Sequence, residues 1–173
     1  MALIKGEGVL LRPISEDDTE FILSIRNNLD TADQFFSDPP IYDFLHRRWL
    51  NEMEGNAIDL IIETNQRVGR IYLTNIDYRN SKAEFGIVLH TEFTGKGIAF
   101  SSSKLLLDYC FSNLPIRKIY LHVFSDNNKA ISLYKKLGFL VEGVFRDEIF
   151  KKGAFKDVVR MSVFKEHWIN RET

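Results

Sequence analysis

The chain has 173 residues, of which 45% are hydrophobic and 13% are aromatic, so it can bury a core and is predicted to form one domain over residues 1–173. Its formal net charge is −1, so no basic excess points to nucleic acid as a partner. No apolar stretch approaches the ~18 residues of a membrane-spanning helix, and no signal-peptide pattern opens the sequence. We therefore expect a cytoplasmic protein with neither a nucleic-acid nor a membrane partner.

The first part of the chain predicts one strand and two helices. Gly8–Pro13 reads as a strand, and Ser15 precedes a helix with acids in its first turn. A second helix is predicted at Tyr42–Met53, where the residues expected to share one apolar side are Phe44, Leu45, Trp49 and Met53. The segment between the two helices reads as a loop that is closed by Pro39 and Pro40.

The rest of the chain alternates strands and helices. Strands are predicted at Ile58–Glu63, Val68–Thr74, Ala83–Leu89, Lys118–Phe124, Val141–Phe150 and Asp157–Phe164, and helices at Gly97–Asn113 and Asn128–Leu137. "KKGAF" (151–155) reads as the hairpin turn between the last two strands. Because antiparallel strands come before a strand–helix–strand–helix–strand order, the fold class is mixed α/β or α+β.

Basic clusters at His46–Arg48, Lys135–Lys136 and Lys151–Lys152 are typical of solvated surfaces.

The single cysteine, Cys110, lies among apolar residues and reads as a core thiol. No His/Cys/Asp cluster has metal-ligand spacing, so we expect no metal.

The segment "TGKGIA" (94–99) indicates an anion site. It does not match a nucleoside-triphosphate loop, because the serines stand too far from Lys96, nor a dinucleotide loop, because Phe100 replaces the third glycine. Two glycines at the start of a helix still let an anion approach bare backbone N–H groups at the positive end of the helix dipole. On this segment alone, a diphosphate site and a simple glycine-rich helix start both remain open.

Together with "VFSDNNKAISLYKKLGF" (123–139), this loop resembles the GNAT superfamily of acetyl-CoA-dependent N-acetyltransferases. The resemblance implies a twisted, mostly antiparallel sheet of about seven strands with about four helices. It also implies acetyl-CoA as the donor, its pyrophosphate on the loop and its pantetheine arm along the third of the antiparallel strands. The implied cofactor-binding residues are Ile87, Val88, Leu89, Thr94, Gly95, Lys96, Gly97, Ile98, Ala99, Asn127 and Lys136. Thr94 departs from the family pattern, which has Arg or Gln there.

Acetyl transfer to an amine requires removal of a proton from the acceptor, stabilisation of an oxyanion and protonation of the leaving thiolate. By resemblance, Tyr134 is the general acid; the alternative is a buried core aromatic.

Glu84 is the candidate general base, since strand alternation places it beside Gly86, where a missing side chain leaves room for an acceptor. The alternative for Glu84 is an outward surface glutamate. The backbone N–H of Val88 or Leu89 is a candidate oxyanion donor, and Asn127 caps its helix.

The acceptor amine stays open between three classes. Central segments are similar to spermidine N-acetyltransferases, but "DFLHRRWL" (43–50) is basic where a polycation would favour carboxylates. The same segments are similar to acetyltransferases of nucleotide-linked amino sugars, whose diphosphate would suit the basic cluster at 46–48. The opening "LRP" (11–13) is shared with enzymes that acetylate protein N-termini. Candidate acceptor-binding residues are Asp38, Arg47 and Glu84.

A non-catalytic acyl-CoA-binding module is the alternative to an enzyme, although such a module would need neither Tyr134 nor Glu84. The apolar setting of Cys110 disfavours an acetyl-cysteine intermediate and favours direct transfer. The C-terminal strands and the aromatic content favour a homodimer or a higher homo-oligomer.

Overall fold

A computed structural model of the chain describes residues 3–53 and 55–170; the remaining positions of the predicted 1–173 domain lie outside the described residues. The described part contains eight strands and five α-helices, and the predicted mixed α/β class is confirmed. The strands are β1 (Ile4–Gly6), β2 (Val9–Pro13), β3 (Ile58–Glu63), β4 (Arg67–Asp77), β5 (Lys82–Leu89), β6 (Lys118–Phe124), β7 (Leu140–Lys151) and β8 (Ala154–Phe164). The helices are α1 (Thr19–Arg26), α2 (Asp43–Asn51), α3 (Ile98–Asn113), α4 (Asn128–Lys136) and α5 (Lys165–Asn170).

The strands form one sheet in the order β1-β2-β3-β4-β5-β6-β8-β7. Neighbours pair antiparallel except for β5 and β6, which are the parallel pair among the described strands. That parallel pairing covers only three positions and ends at Glu84 opposite Tyr120. Beyond this point the two strands continue without pairing to each other, which opens the middle of the sheet at one end.

The two faces of the sheet are covered by different helices. The main apolar core contains Leu106 of α3 and Tyr134 of α4, together with Ile71 of β4. On the opposite face, Arg70 of β4 lies 4.7 Å from the ring centroid of Trp49 of α2. Because successive strand residues point to opposite faces, α3 and α4 cover one side, and α1 and α2 cover the other.

The described residues form one strand and one helix more than the expected count of about seven strands and about four helices. The sequence interpretation missed β1, a three-residue strand that returns on β2 through Gly8 at φ +69°. It also missed α5, whose six residues are too few to show helical periodicity. The first helix begins later than expected, since Glu16–Asp18 forms a 3₁₀ turn before α1.

The predicted apolar side of the second helix was wrong. Phe44 and Leu45 are 66% and 44% exposed, whereas His46 is buried, with Nδ1 3.3 Å from the Thr19 hydroxyl. Helix α2 is turned so that Trp49 lies against the buried guanidinium of Arg70, while Phe44 and Leu45 remain exposed.

The last hairpin is tighter than predicted, because β7 runs to Lys151 and β8 starts at Ala154. Lys152 and Gly153 form the turn, both with positive φ (49° and 81°), as a two-residue hairpin turn of type I′ requires. The prediction that this basic cluster is solvated was wrong for Lys151, which is 3% exposed. Among the described residues, every helix is too short or too polar to cross a membrane.

Candidate active site

The separation of β5 from β6 creates a cleft in the sheet. On one side, Ile87, Val88 and Leu89 pair with β4; on the other, the described strands leave the backbone of these residues unpaired. An extended arm carrying amide groups can form strand-like hydrogen bonds with such an edge. The structure thus places the three residues predicted to bind pantetheine along one wall of the cleft.

The glycine loop follows this wall directly. A 3₁₀ turn at Thr91–Phe93 leads to Gly95 (φ +76°) and then to Gly97 (φ +79°), which is the N-cap of α3. A Cβ at either glycine would meet nothing within 4 Å, so glycine is required by the backbone conformation. The left-handed turns leave the first N–H groups of α3, at Ile98 and Ala99, without a side-chain cap. This geometry fits a pyrophosphate group.

Two other predicted loop residues are exposed. The Thr94 hydroxyl donates to the Thr91 carbonyl (2.8 Å), so it stabilises the turn that precedes the glycines. The Lys96 ammonium lies 5.2 Å from the ring centroid of Phe93. On the opposite wall, Asn127 caps α4 by accepting a hydrogen bond from the Ala130 N–H (3.1 Å), and Lys136 is exposed at the end of that helix.

Tyr134 lies in the apolar core beneath the cleft, in contact with the rings of Phe85 and Phe139 (centroids 6.2 and 5.8 Å away). Burial raises the pKa of its phenol, and the neighbouring Tyr72 phenol raises it further. A phenol in this setting stays protonated throughout the physiological pH range. Its position is compatible with a proton donor and equally with a core aromatic.

The expected open space beside Glu84 is not present, because Tyr72 fills it. Tyr72 pairs with Gly86 across β4 and β5, and a Cβ at Gly86 would lie 2.1 Å from the Tyr72 ring. The prediction that Gly86 leaves room for an acceptor was wrong: the glycine accommodates a phenol from the neighbouring strand. The sequence interpretation missed Tyr72, because the residue that lies opposite it depends on the register between β4 and β5, which the sequence does not show.

Glu84 is not an isolated surface glutamate, since both of its carboxylate oxygens are engaged. Oε1 lies 2.7 Å from Nδ1 of His122, and Oε2 accepts a hydrogen bond from the Asn75 amide (2.8 Å). His122 was also missed by the sequence interpretation. Strand alternation puts Tyr120 and His122 on one face of β6, but the sequence does not show which residue of β5 lies opposite them.

The other candidate acceptor residues lie away from this cluster. Asp38 is exposed and pairs with the Lys151 ammonium (2.7 Å). Arg47 donates to Asp43 one turn before it (2.8 Å) and lies 3.7 Å from Glu16. The structure does not bring either residue together with Glu84.

Cys110 is fully buried in α3, and burial raises the pKa of its thiol to about 12. A thiol that remains protonated at neutral pH is a poor nucleophile. Cys110 is therefore part of the core.

Two surface cavities lie outside the cleft. One of about 440 Å³ is bordered by Pro13–Glu16, Leu50 and Ala57–Leu60, and the other, of about 290 Å³, by Phe21, Arg67 and His90. Neither is lined by Glu84 or Tyr134. Glu84 and Tyr134, the two candidate catalytic residues, therefore lie at the cleft between β5 and β6 and not at either cavity.

Comparison with known proteins agrees with this geometry. The model of the acetyltransferase (GNAT) domain family matches residues 9–140. The chain is 32% identical to the spermidine N(1)-acetyltransferase of Escherichia coli K12, over 95% of this chain and 90% of that protein. It is 34% identical to the Vibrio cholerae spermidine N(1)-acetyltransferase, over 93% and 95% of the two chains.

A solved structure of spermidine N-acetyltransferase from Vibrio cholerae, in complex with CoA and spermine, superposes on this chain with a TM-score of 0.91. The two are 31% identical, and the match covers 95% of this chain and 100% of the other. The implied fold and the family resemblance are confirmed. The chain belongs to the GNAT family and is an acetyl-CoA-dependent N-acetyltransferase.

Proposed function

We propose that this enzyme acetylates a primary amine of a polyamine. The relatives that it matches at 32–34% identity over more than nine-tenths of its length are named spermidine N(1)-acetyltransferases. The similar solved structure contains CoA and spermine. These likenesses support a small cationic acceptor for this chain.

The charge around the cleft carries the proposal. Glu84 lies where β5 and β6 separate, and among the described residues it contacts His122 and Asn75 but no lysine or arginine. A carboxylate without a permanent cationic partner attracts an ammonium group. A polyamine, which carries several ammonium groups, gains more from this carboxylate than an acceptor whose diphosphate would be repelled by it.

The basic segment of α2, which first favoured a diphosphate-bearing acceptor, gives that alternative little support. Arg47 and Arg48 each pair with a carboxylate one turn away, Asp43 and Glu52, at 2.8 and 2.9 Å. His46 is buried, and burial, followed by the charge of Arg70, lowers its pKa. The cluster therefore presents less positive charge than its sequence suggests.

Acetyl-CoA, when bound, supplies an acetyl group activated as a thioester. We assign its pyrophosphate to the loop at Gly95–Ala99 and its pantetheine arm to the edge of β5 at Ile87–Leu89, without a metal. The backbone N–H of Val88 or Leu89 would donate to the acetyl oxygen. Tyr134 would give its phenolic proton to the leaving sulfur. The buried Cys110 supports direct transfer to the amine.

The test is thiol release from acetyl-CoA with three acceptors: spermidine, a nucleotide-linked amino sugar and a short peptide with a free N-terminus. We expect kcat/KM for spermidine to exceed the other two by at least about 100-fold, which corresponds to about 2.7 kcal/mol of discrimination. Turnover confined to the amino sugar or the peptide would contradict the polyamine assignment. Silence with all three, combined with tight acetyl-CoA binding in calorimetry, would contradict the polyamine assignment and point to a different amine.

We further propose a cytoplasmic, single-domain chain that forms a homodimer or a higher homo-oligomer, with no nucleic-acid or membrane partner. The edge strand β7 and its neighbour β8 support an interface with a second copy. They expose six large apolar side chains, Leu140, Val141, Val144, Phe145, Phe150 and Phe155. An exposed apolar edge of this kind favours association. A monomer at micromolar concentration in sedimentation equilibrium would contradict the proposed homo-oligomer.

A further inference from the structure

His122 and Glu84 form a hydrogen-bonded pair at the point where β5 and β6 separate. His122 Nδ1 lies 2.7 Å from Glu84 Oε1, and Asn75 holds the other carboxylate oxygen at 2.8 Å. An ionised carboxylate can only accept hydrogen bonds, so the hydrogen of a neutral His122 ring must reside on Nδ1. The lone pair then lies on Nε2, which contacts no hydrogen-bonding group among the described residues.

The position of the pair follows from the sheet. Glu84 is the last residue of β5 that pairs with β6, and its partner is Tyr120. His122 lies two residues further along β6, on the same face as Tyr120 and Glu84. The ring is therefore located where the two strands separate, and 23% of the side chain is exposed.

The neighbours of the His122 ring restrict its orientation. Tyr120 on the same strand and Phe145 of β7 contact it edge-on, at centroid distances of 5.7 and 5.8 Å. Arg160 lies opposite His122 on β8, but its guanidinium stacks over the Tyr120 ring (4.2 Å) and donates to Glu142 of β7 (3.1 Å).

The charged and titratable groups that face His122 are thus Glu84 from β5, Tyr120 from β6, Arg160 from β8 and Glu142 from β7. Arg160 and Glu142 are paired with each other. Glu84 is therefore the charge with which the ring interacts directly.

We propose that His122 Nε2 accepts the proton of the acceptor's ammonium group, and that Glu84 is a positioning residue for the ring. The inference rests on the proposed polyamine acceptor and deepens it. It changes the role first suggested for Glu84, because both oxygens of that carboxylate are already hydrogen-bonded. Glu84 fixes the tautomer of His122 and stabilises the imidazolium that forms.

The proton balance is complete with the groups named. An ammonium group carries three hydrogens and the amide product one, so two protons must leave the nitrogen. His122 takes the first and releases it to solvent. The freed lone pair then forms the N–C bond to the acetyl carbonyl carbon while the C–S bond breaks. The sulfur takes a proton from Tyr134, and the second proton of the nitrogen restores the phenol.

The experiment compares His122→Asn with His167→Asn, an exposed histidine of α5 that serves as the matched control. The Asn amide can still donate to Glu84 but cannot accept a proton. We expect His122→Asn to lower kcat/KM for spermidine about 100-fold at pH 7.5, a typical contribution of general-base catalysis. The loss should shrink to a few-fold near pH 10, where an alkyl amine with a pKa of about 10.4 is partly neutral without help.

A structural role for His122 would give a loss that is the same at both pH values, and that result would overturn the proposal. Activity of His122→Asn within about threefold of wild type at pH 7.5 would overturn it as well. Thermal melting and acetyl-CoA calorimetry check that the variant is folded, and His122→Gln provides a second variant without a proton acceptor.

The same pH comparison is made with the amino sugar and the peptide, so that the two proposals can fail separately. If only one of these two acceptors is turned over, the polyamine assignment fails while His122 is still judged on the acceptor that reacts. Silence of the wild type with all three acceptors would overturn both proposals.

Discussion

The phenol of Tyr72 on β4 lies directly against the backbone of Gly86 on β5. A Cβ at Gly86 would lie 2.1 Å from Tyr72 Cζ and 2.3 Å from the phenol oxygen, distances that no real side chain tolerates. The Tyr72 ring is itself restrained, since the Arg70 guanidinium lies 4.3 Å from its centroid. Arg70 is in turn fixed by Asp59, which accepts from its Nε at 2.7 Å. Glycine at position 86 thus brings a restrained phenol to the cleft, close to Tyr134.

Gly86→Ala should therefore displace Tyr72 and disturb the cleft. Overpacking of this kind costs about 1–3 kcal/mol of stability, and we expect kcat to fall at least about tenfold because the groups near Tyr134 move. Gly143→Ala is the matched control, since a Cβ at that strand glycine would meet nothing within 4 Å. Thermal melts and acetyl-CoA kinetics measure both effects. Equal behaviour of the two variants would contradict the role assigned to this contact.

Gly97→Ala should weaken acetyl-CoA binding through the backbone. Gly97 (φ +79°) and Gly153 in the β7–β8 turn (φ +81°) share the same left-handed conformation, and both have open space at Cβ. Alanine at either position should cost about 1–2 kcal/mol of stability. Only Gly97→Ala should also raise the KM for acetyl-CoA, by about tenfold or about 1.4 kcal/mol, because it distorts the start of α3. A similar rise in Gly153→Ala would show that the effect is general destabilisation.

Features set by local sequence could be predicted. Gly97–Asn113 was predicted as a helix to within one residue, because its glycine start and apolar content are local signals. The three middle strands and the glycine loop were found for the same reason. The family resemblance relied on two short segments whose spacing is also visible in the sequence. It therefore gave the fold and the cofactor class without any knowledge of long-range contacts.

Features set by register and long-range packing could not be predicted. The pairing of Glu84 with Tyr120 requires the offset between two strands that a sixteen-residue helix separates in the chain, and only this offset brings His122 to Glu84. The rotation of α2 depends on the buried Arg70, whose position the local pattern of α2 does not contain. Lys151 was expected in solvent. The sequence could not show that its ammonium is buried, because the carbonyl that accepts its hydrogen bond belongs to a loop more than a hundred residues earlier.

Tyr134→Phe should separate catalysis from binding. The variant keeps the ring contacts with Phe85 and Phe139, so we expect little change in melting temperature or in the Kd for acetyl-CoA. It loses the proton donor, and kcat should fall about 100-fold or more. Tyr109→Phe, a tyrosine on α3, is the control. Unchanged kcat in Tyr134→Phe would show that Tyr134 is only a core aromatic.

Lys151→Met should loosen the loop between α1 and α2. The Lys151 ammonium donates to the carbonyls of Phe35 (2.7 Å) and Ser37 (3.3 Å) and pairs with Asp38 (2.7 Å), while its side chain is 2% exposed. Loss of these buried, charge-assisted bonds should cost about 2–3 kcal/mol and raise the KM for the acceptor, since this loop packs on the sheet face that carries His122.

The adjacent Lys152 offers a matched control for this change. Its ammonium lies 2.6 Å from Asp33, but the side chain is 67% exposed, and exposed pairs contribute only about 0–1 kcal/mol. Lys152→Met should therefore leave the melting temperature and the acceptor KM nearly unchanged. Urea unfolding and acceptor titrations of the two variants provide the comparison. If Lys151→Met and Lys152→Met lose the same stability, burial of the Lys151 ammonium does not stabilise the loop. If Lys151→Met alone loses stability but keeps its acceptor KM, the loop does not help to bind the acceptor.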